Sequence, residues 1–272
     1  MTVFSSPTGY HLQVSCRNGQ RLDERVTQSS YKKAPITEAV IEIKIASPLE
    51  PKEVEKVSAK FRSNYPHHQN VDSLTVALQL PAGEGGDPKA QIDREPGHRR
   101  SSSDLTQLLV LGRSAFAVSQ LAPYPGWDEF FARFVRDWKI WKKAVRFRTI
   151  SRIGVRYINR IDIPIAESKV EHEEFLNVYP KLPDIFGPLS AYAVQAVLPI
   201  QDIDCKLTIN SAVVPAPILD HASFVIDQDI ARESNAPQSD KDIFKLLKEI
   251  RVRKNKIFEA CISNRARELF QK

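Results

Sequence analysis

The sequence predicts an α+β protein built from two β-α-β-β-β-α modules, each an antiparallel sheet with its helices packed on one face. Several short segments alternate apolar and polar residues, which is the period of a half-buried strand. Two longer segments repeat apolar residues every three or four positions, as helices that cover a sheet do. The order of elements occurs twice without clear residue identity between the halves, so element order alone indicates a duplication.

The predicted organisation comprises a polar, flexible leader at 1–33, a first module at 34–145 and a second module at 146–272. The first module opens with a strand at 34–45, which alternates apolar and polar residues, and a helix at about 51–64. A strand at 74–80 follows. Residues 82–103 contain four glycines and a run of serines, which predicts a disordered insertion between strands.

A hairpin and an aromatic helix complete the first module. Residues 108–112 and 115–120 predict two strands joined by a turn near Gly112. In the helix predicted at about 126–144, six aromatic side chains share one face. Such a face must cover a sheet, so these aromatics are predicted to be core, with an interface anchor as the alternative.

The second module repeats this order. It contains a strand at 146–163, a helix near 171–178, strands near 190–199, 204–214 and 221–231, and a helix at about 240–262. In the first of these strands, alternation predicts one core face made of Phe147, Ile153, Val155, Tyr157, Ile161 and Ile163.

Composition excludes several classes of protein. The chain of 272 residues is 42% hydrophobic and 26% charged, unlike collagen-like, wholly disordered or disulfide-scaffold proteins. No segment is apolar enough to cross a hydrocarbon core of about 30 Å, and the N-terminus lacks the features of a secretory signal. Three cysteines without CxxC spacing fit a reducing compartment. We therefore expect a cytoplasmic protein without a membrane partner.

Positive charge is concentrated in residues 139–160, which hold eight Lys and Arg and no Asp or Glu. Four arginines of this block recur every fourth residue on the polar face of the strand at 146–163. At a rise of about 3.3 Å per residue, their Cα atoms lie about 13 Å apart. Such a ladder suits contact with an anion, a nucleic acid or a partner. The predicted binding residues are Arg148, Arg152, Arg156, Arg160, Lys142 and Lys143.

Cross-strand ion pairing is the alternative role of these arginines. Glu38 and Glu42 have the same four-residue spacing on the polar face of the first strand, and Asp227 and Asp229 lie on the strand at 221–231. Arginine is the residue that best forms bidentate, partly buried pairs with carboxylates. The sequence favours this structural role for the two central arginines.

The sequence contains no recognisable catalytic constellation. Zincin, P-loop, dinucleotide-binding and nucleophile-elbow motifs are absent, and neither a cofactor nor a metal site is predicted. His221, Asp227 and Asp229 would share one strand face, which is enough for a weak metal site or a general base. Tyr157 and Tyr124 are the further candidates for chemistry beside the arginines.

Four segments of the chain form a further pattern: Ala34–Ile41, Phe116–Ser119, Tyr124–Trp127 and Arg152–Ile161. Together they resemble a sporadically distributed bacterial family of uncharacterised proteins of about this length. The last segment is the most specific, and the likeness covers roughly 34–272. The resemblance implies a bacterial setting and, through the sporadic distribution, association with mobile elements or defence systems. It implies no activity, cofactor or catalytic residue.

We therefore predict a non-enzymatic binding or regulatory protein that acts through a protein partner or an anionic polymer such as nucleic acid. The alternative is a metal-independent nuclease, or another nucleic-acid-processing enzyme, that uses the basic strand at 146–163.

Overall fold

A computed structural model of the protein describes residues 31–79, 89–165, 170–183, 185 and 189–271. The strands are β1 (Ile36–Ile45), β2 (His67–Gln79), β3 (Lys89–Ser101), β4 (Gln107–Leu111), β5 (Ala115–Leu121), β6 (Ile150–Pro164), β7 (Ala193–Ile200), β8 (Cys205–Val214) and β9 (His221–Arg232). The helices are α1 (Pro51–Ala59), α2 (Trp127–Val145), α3 (Asp240–Cys261) and α4 (Asn264–Gln271). The predicted α+β class is therefore confirmed.

The nine described strands form one antiparallel sheet, in the order β2-β3-β4-β5-β1-β6-β9-β8-β7. The sequence predicts a separate sheet for each half, whereas β1 and β6, the first strand of each half, pair with one another. Their register sets Ile41 beside Val155 and Ile43 beside Ile153, so the apolar faces of both strands continue into one another.

The sheet order is mirrored about the β1–β6 boundary. Outward from that boundary, β5 corresponds to β9, β4 to β8, and β3 to β7. β2 lies beyond β3, but no described strand lies beyond β7. The first half thus has four strands after its first helix where the sequence predicts three, and the second half has three.

One core lies between the sheet and the helices. It combines the buried side chains of α1 to α4 with one face of the strands, including Val155 and Tyr157 of β6. The aromatic face of α2 contributes most of its bulk: Trp127, Trp138 and Trp141 are at most 6% exposed. The prediction that these aromatics are core is confirmed. The helix begins after Gly126, whose φ of 107° is a conformation that only glycine adopts readily.

Two predicted segments differ from the structure. Strand β3 lies within the segment predicted as a disordered insertion, because hydrogen bonding to β2 on one side and β4 on the other outweighs its glycine and proline content. Residues 82–88 of that segment, and residues 1–30 of the predicted leader, lie outside the described residues. The helix predicted near 171–178 is a single 3-10 turn, His172–Glu174, because Phe175 and Asn177 form backbone hydrogen bonds with Ser263 and Cys261 near the end of α3 instead.

Phe147 does not join the core face of β6. Its side chain is 74% exposed, because β6 begins only at Ile150 and the chain leaves α2 through Arg146, which has a φ of 60°. The other five predicted core residues of this strand are all buried. Among the described helices, none is both long and apolar enough to cross a membrane.

Candidate functional site

The helices cover one face of the sheet, and the alternation of the strands places three of the predicted arginines and their candidate carboxylate partners on the other face. This face, called the open face below, carries Glu38 and Glu42 of β1, Arg152, Arg156 and Arg160 of β6, and Asp227 and Asp229 of β9. The cross-strand register brings Arg156 beside Asp229 and Glu42 beside Gly154. Opposite charges on three adjacent strands therefore meet at the centre of the sheet.

Arg152 bridges the two neighbours of its own strand. Its Nη1 donates a hydrogen bond to Glu42 on β1, and its Nη2 donates one to Asp229 on β9. The guanidinium lies directly over Gly154, where a Cβ atom would sit 2.9 Å from Cζ and overlap Nη1. Burial raises the pKa of Asp229 above its usual value, and the charge of Arg152 partly opposes that rise. Gly154 is thus the residue that permits this bridge.

Arg156 forms a two-point pair with Asp227. Its Nε and Nη2 donate to the two carboxylate oxygens over 2.8 and 2.7 Å, and Asn210 donates to the same carboxylate over 3.1 Å. The hydrogen bonds to Asp227 raise the pKa of the Arg156 guanidinium, in the main. The Arg156 side chain nevertheless remains 49% exposed, whereas that of Asp227 is 9% exposed. The guanidinium edge that faces solvent therefore carries a compensated charge.

The remaining predicted basic residues are distributed over the molecule. Arg160 pairs with Asp162 on its own strand, Arg148 pairs with Glu53 of α1, and Lys142 pairs with Asp240 of α3. Lys143 is exposed on α2. The structure thus brings Arg152 and Arg156 together with Asp227 and Asp229, and it separates Arg148, Lys142 and Lys143 from them. Ion pairing, the alternative role of the ladder, is the geometry observed, although Glu38 instead accepts a hydrogen bond from Ser119.

The tyrosine candidates lie on the helix-covered side of the sheet. The hydroxyl oxygens of Tyr124 and Tyr157 are 2.9 Å apart, and burial raises the pKa of both hydroxyls, that of Tyr124 to about 12. His221 lies at the start of β9, with its Nδ1 2.8 Å from the carbonyl oxygen of Leu219. Because Tyr157 and the arginines project from opposite faces of β6, they cannot act on one bound group. Among the described residues, no group of three or more His, Cys, Asp or Glu side chains is arranged to hold a metal ion.

Lys254 is a residue that the sequence reasoning missed. Its ammonium nitrogen lies 3.9 Å from the centre of the Tyr157 ring, and the residue is only 9% exposed. Burial, with the nearby charge of Arg251, lowers the pKa of this amine to about 7. The signal was present in the spacing, since Lys254 falls on the apolar stripe of α3 four residues after Ile250 and four before Phe258. A lysine on such a stripe is expected to be buried.

A second polar cluster fastens α2 to the loop after α1. The Tyr65 hydroxyl donates to Asp137 and accepts hydrogen bonds from Arg133 and Arg136 over 3.0 and 3.2 Å. Tyr65 and Asp137 are fully buried, so each polar atom here requires its partner. No local pattern links Tyr65 to α2, because the two segments are far apart in sequence. The cluster's groups satisfy one another, which is typical of a structural role.

No protein-family model matches the chain, and no curated protein matches it. Among solved structures, the di-domain ARO/CYC StfQ from the steffimycin biosynthetic pathway aligns over 85% of this chain and 97% of its own. The identity is 10% and the TM-score is 0.22, too low to carry an argument about this chain. The resemblance to the sporadically distributed bacterial family stays a prediction.

Proposed function

We propose that this chain is a non-enzymatic binding or regulatory protein of the bacterial cytoplasm that acts through a protein partner on its open face. One observation carries the proposal: the arginines at the centre of that face are fixed by carboxylates on both neighbouring strands. The face therefore presents both signs of charge in set positions. Such a pattern complements a partner surface of mixed charge, and it favours specificity over raw affinity.

An anionic polymer is the less favoured partner. Binding dominated by phosphates depends on cations that are free to replace counterions. Here Arg152 would have to leave Glu42 and Asp229, and the carboxylates so released would repel the incoming phosphates. The metal-independent nuclease, our alternative, gains no support from the arrangement because Tyr157 and Tyr124 are on the opposite side of the sheet from the arginines.

Two further parts of the proposal concern origin and setting. The mirrored sheet order supports a duplication of a β-α-β-β-β-α module, with β2 as an additional strand in the first copy. The likeness of Arg152–Ile161 to the bacterial family supports a role in a defence- or mobile-element-associated system.

The test is affinity capture from a bacterial extract with a charge-swapped open face. The double variant Arg156→Asp with Asp227→Arg keeps an ion pair but exchanges its polarity, so the fold should persist while a charge-matched partner is lost. Lys256→Asp, on the exposed side of α3, is the matched control. We expect one protein to be retained by the unchanged chain and by the control, but not by the swap.

Nucleic acid is followed in the same experiment. An absorbance excess at 260 nm that is present at low salt and removed by high salt would show that the partner is a polyanion and not a protein. Equal capture by all three proteins would overturn the assignment of the open face. Circular dichroism of each variant establishes that the fold is retained.

A further inference from the structure

Strand β7 forms an edge of the described sheet, with β8 as its partner on one side. Its eight residues, Ala193–Ile200, include no charged residue. Val197 is 57% exposed and Leu198 is 45% exposed, although they lie on opposite faces of the strand. Monomeric proteins usually protect an exposed edge strand with lysines, bulges or a covering segment. The apolar, uncharged β7 edge is suited to pairing.

The hydrogen bond just before β7 shows which of its residues direct their N–H and C=O groups toward β8 and which direct them outward. The carbonyl of Tyr192 accepts from the N–H of Val213 over 3.1 Å, so even-numbered residues direct their backbone groups toward β8. The N–H and C=O groups of Ala193, Gln195 and Val197 therefore point away from the sheet. Pro199 has the same parity and lacks an N–H, as is typical of proline in an edge strand.

The mirrored sheet order indicates a position for one more strand. β3, the counterpart of β7, pairs with β2 along its outer side from Lys89 to Ser101. The described part of the second half has no counterpart of β2. A further strand beside β7 would complete the symmetry of the sheet.

We propose that a second copy of this chain occupies this position, with β7 pairing antiparallel with β7 of the second copy about a two-fold axis at Gln195. Two registers place the axis near the middle of the strand. In the first register, Ala196 lies opposite Ala196 of the second copy, and Pro199 faces Ala193 at a hydrogen-bonded position. Because proline has no N–H to donate, the carbonyl of Ala193 would stay unpaired there. With Gln195 opposite itself, Val197 faces Ala193 of the second copy, so the N–H and C=O groups of Ala193, Gln195 and Val197 are all paired, and Pro199 lies opposite Ala191, outside β7. Proline therefore selects the second register.

The chemistry of the strand favours its own copy over a foreign strand. Because β7 is uncharged, two copies meet without repulsion, and a two-fold interface requires a self-complementary surface. In the selected register the large Val197 side chain lies opposite the small Ala193, and Leu198 lies opposite Tyr192. The two exposed apolar side chains of the edge are thereby covered. The result is one continuous sheet whose two open faces adjoin.

The first test is the mass of the full chain in solution, measured by light scattering after size exclusion over a concentration series. We expect the unchanged chain to be a dimer, with twice the monomer mass of 30.8 kDa, and Val197→Lys to be a monomer. Leu219→Lys, in the loop before β9 where the side chain is 89% exposed, is the matched control and should remain dimeric. A single mass at every concentration, or a Val197→Lys dimer, would overturn the proposal.

The second test fixes the register. In a hydrogen-bonded pair the Cα atoms are about 5.5 Å apart, a separation that a disulfide can span. In a Cys16→Ser background, where Cys205 and Cys261 are buried, Gln195→Cys should cross-link two chains under mild oxidation. Val194→Cys, which faces Ala196 rather than itself, should not. Cross-linking of the control and not of Gln195→Cys would overturn the register.

Discussion

Replacing Lys254 with methionine should stabilise the protein at neutral pH. The amine is buried against the Tyr157 ring, and no carboxylate of the described residues forms an ion pair with it. Methionine has a similar length, carries no charge and fills irregular apolar spaces well. The substitution therefore removes the cost of burying the amine and leaves the packing of α3 nearly unchanged.

The size and sign of the effect follow from the pKa of the amine. It is 10.5 in the unfolded chain and about 7 in the folded protein. Because one unit corresponds to about 1.4 kcal/mol, the cost of burying the amine is about 5 kcal/mol well below pH 7, about 4 at pH 7 and about 2 at pH 9. The unfolded chain binds the proton more tightly, so the wild-type free energy of unfolding rises with pH across this window. Methionine abolishes that rise.

The assay is urea denaturation of both proteins at pH 7, 8 and 9, with the difference in unfolding free energy as the readout. The advantage of the methionine variant should shrink by about 1 kcal/mol with each pH unit between pH 7 and 9. Lys256→Met, at an exposed position on the same helix, is the control and should show no such trend. A difference that stays constant between pH 7 and 9 would refute the reasoning.

Three further predictions concern single contacts. Gly154→Ala should destabilise the protein by about 1–2 kcal/mol in urea denaturation, because the added Cβ displaces the Arg152 guanidinium that bridges β1 and β9. Gly112→Ala is the control: its Cβ would meet no atom closer than 3.7 Å, so stability should change little. Asp227→Asn should cost about 1–3 kcal/mol because it leaves Arg156 with a weaker, neutral partner; a thermal melt that matches the wild type would contradict this. Ser239→Ala should cost about 1 kcal/mol through loss of the helix cap of α3, measured by urea denaturation.

The regular elements were predictable where the sequence has a strong local period. The alternation of β1 and β6 and the aromatic repeat of α2 specify one buried face each, and all three elements are found, although β6 begins at Ile150 rather than at 146. The pairing of β1 with β6 was not predictable, because the local sequence of an apolar strand does not specify which other strand it pairs with. β3 was missed for the same reason: its adjacent proline and glycine suggest a loop, and only its two neighbours make it a strand.

In the candidate site too, features set by local periodicity were predictable and features set by long-range contacts were not. Glu42, Asp227 and Asp229 were named as carboxylates that could pair with the arginines, because period-two alternation places them on one face, and the ion pairs are present. That Arg152 reaches both neighbouring strands was not foreseen, since this depends on the absence of a Cβ at Gly154. The burial of Lys254 depends on α3 lying over Tyr157, a contact between distant parts of the chain.

The direct pairing of β1 with β6 has a consequence for how the chain can be divided. A cut in the loop between α2 and β6 would leave each fragment with a central strand unpaired on one side and apolar on one face. Each fragment made alone would expose that strand and aggregate. Made together, the fragments would complement one another across the former β1–β6 ladder and through the contacts of α2 with α3, so the protein can serve as a split reporter.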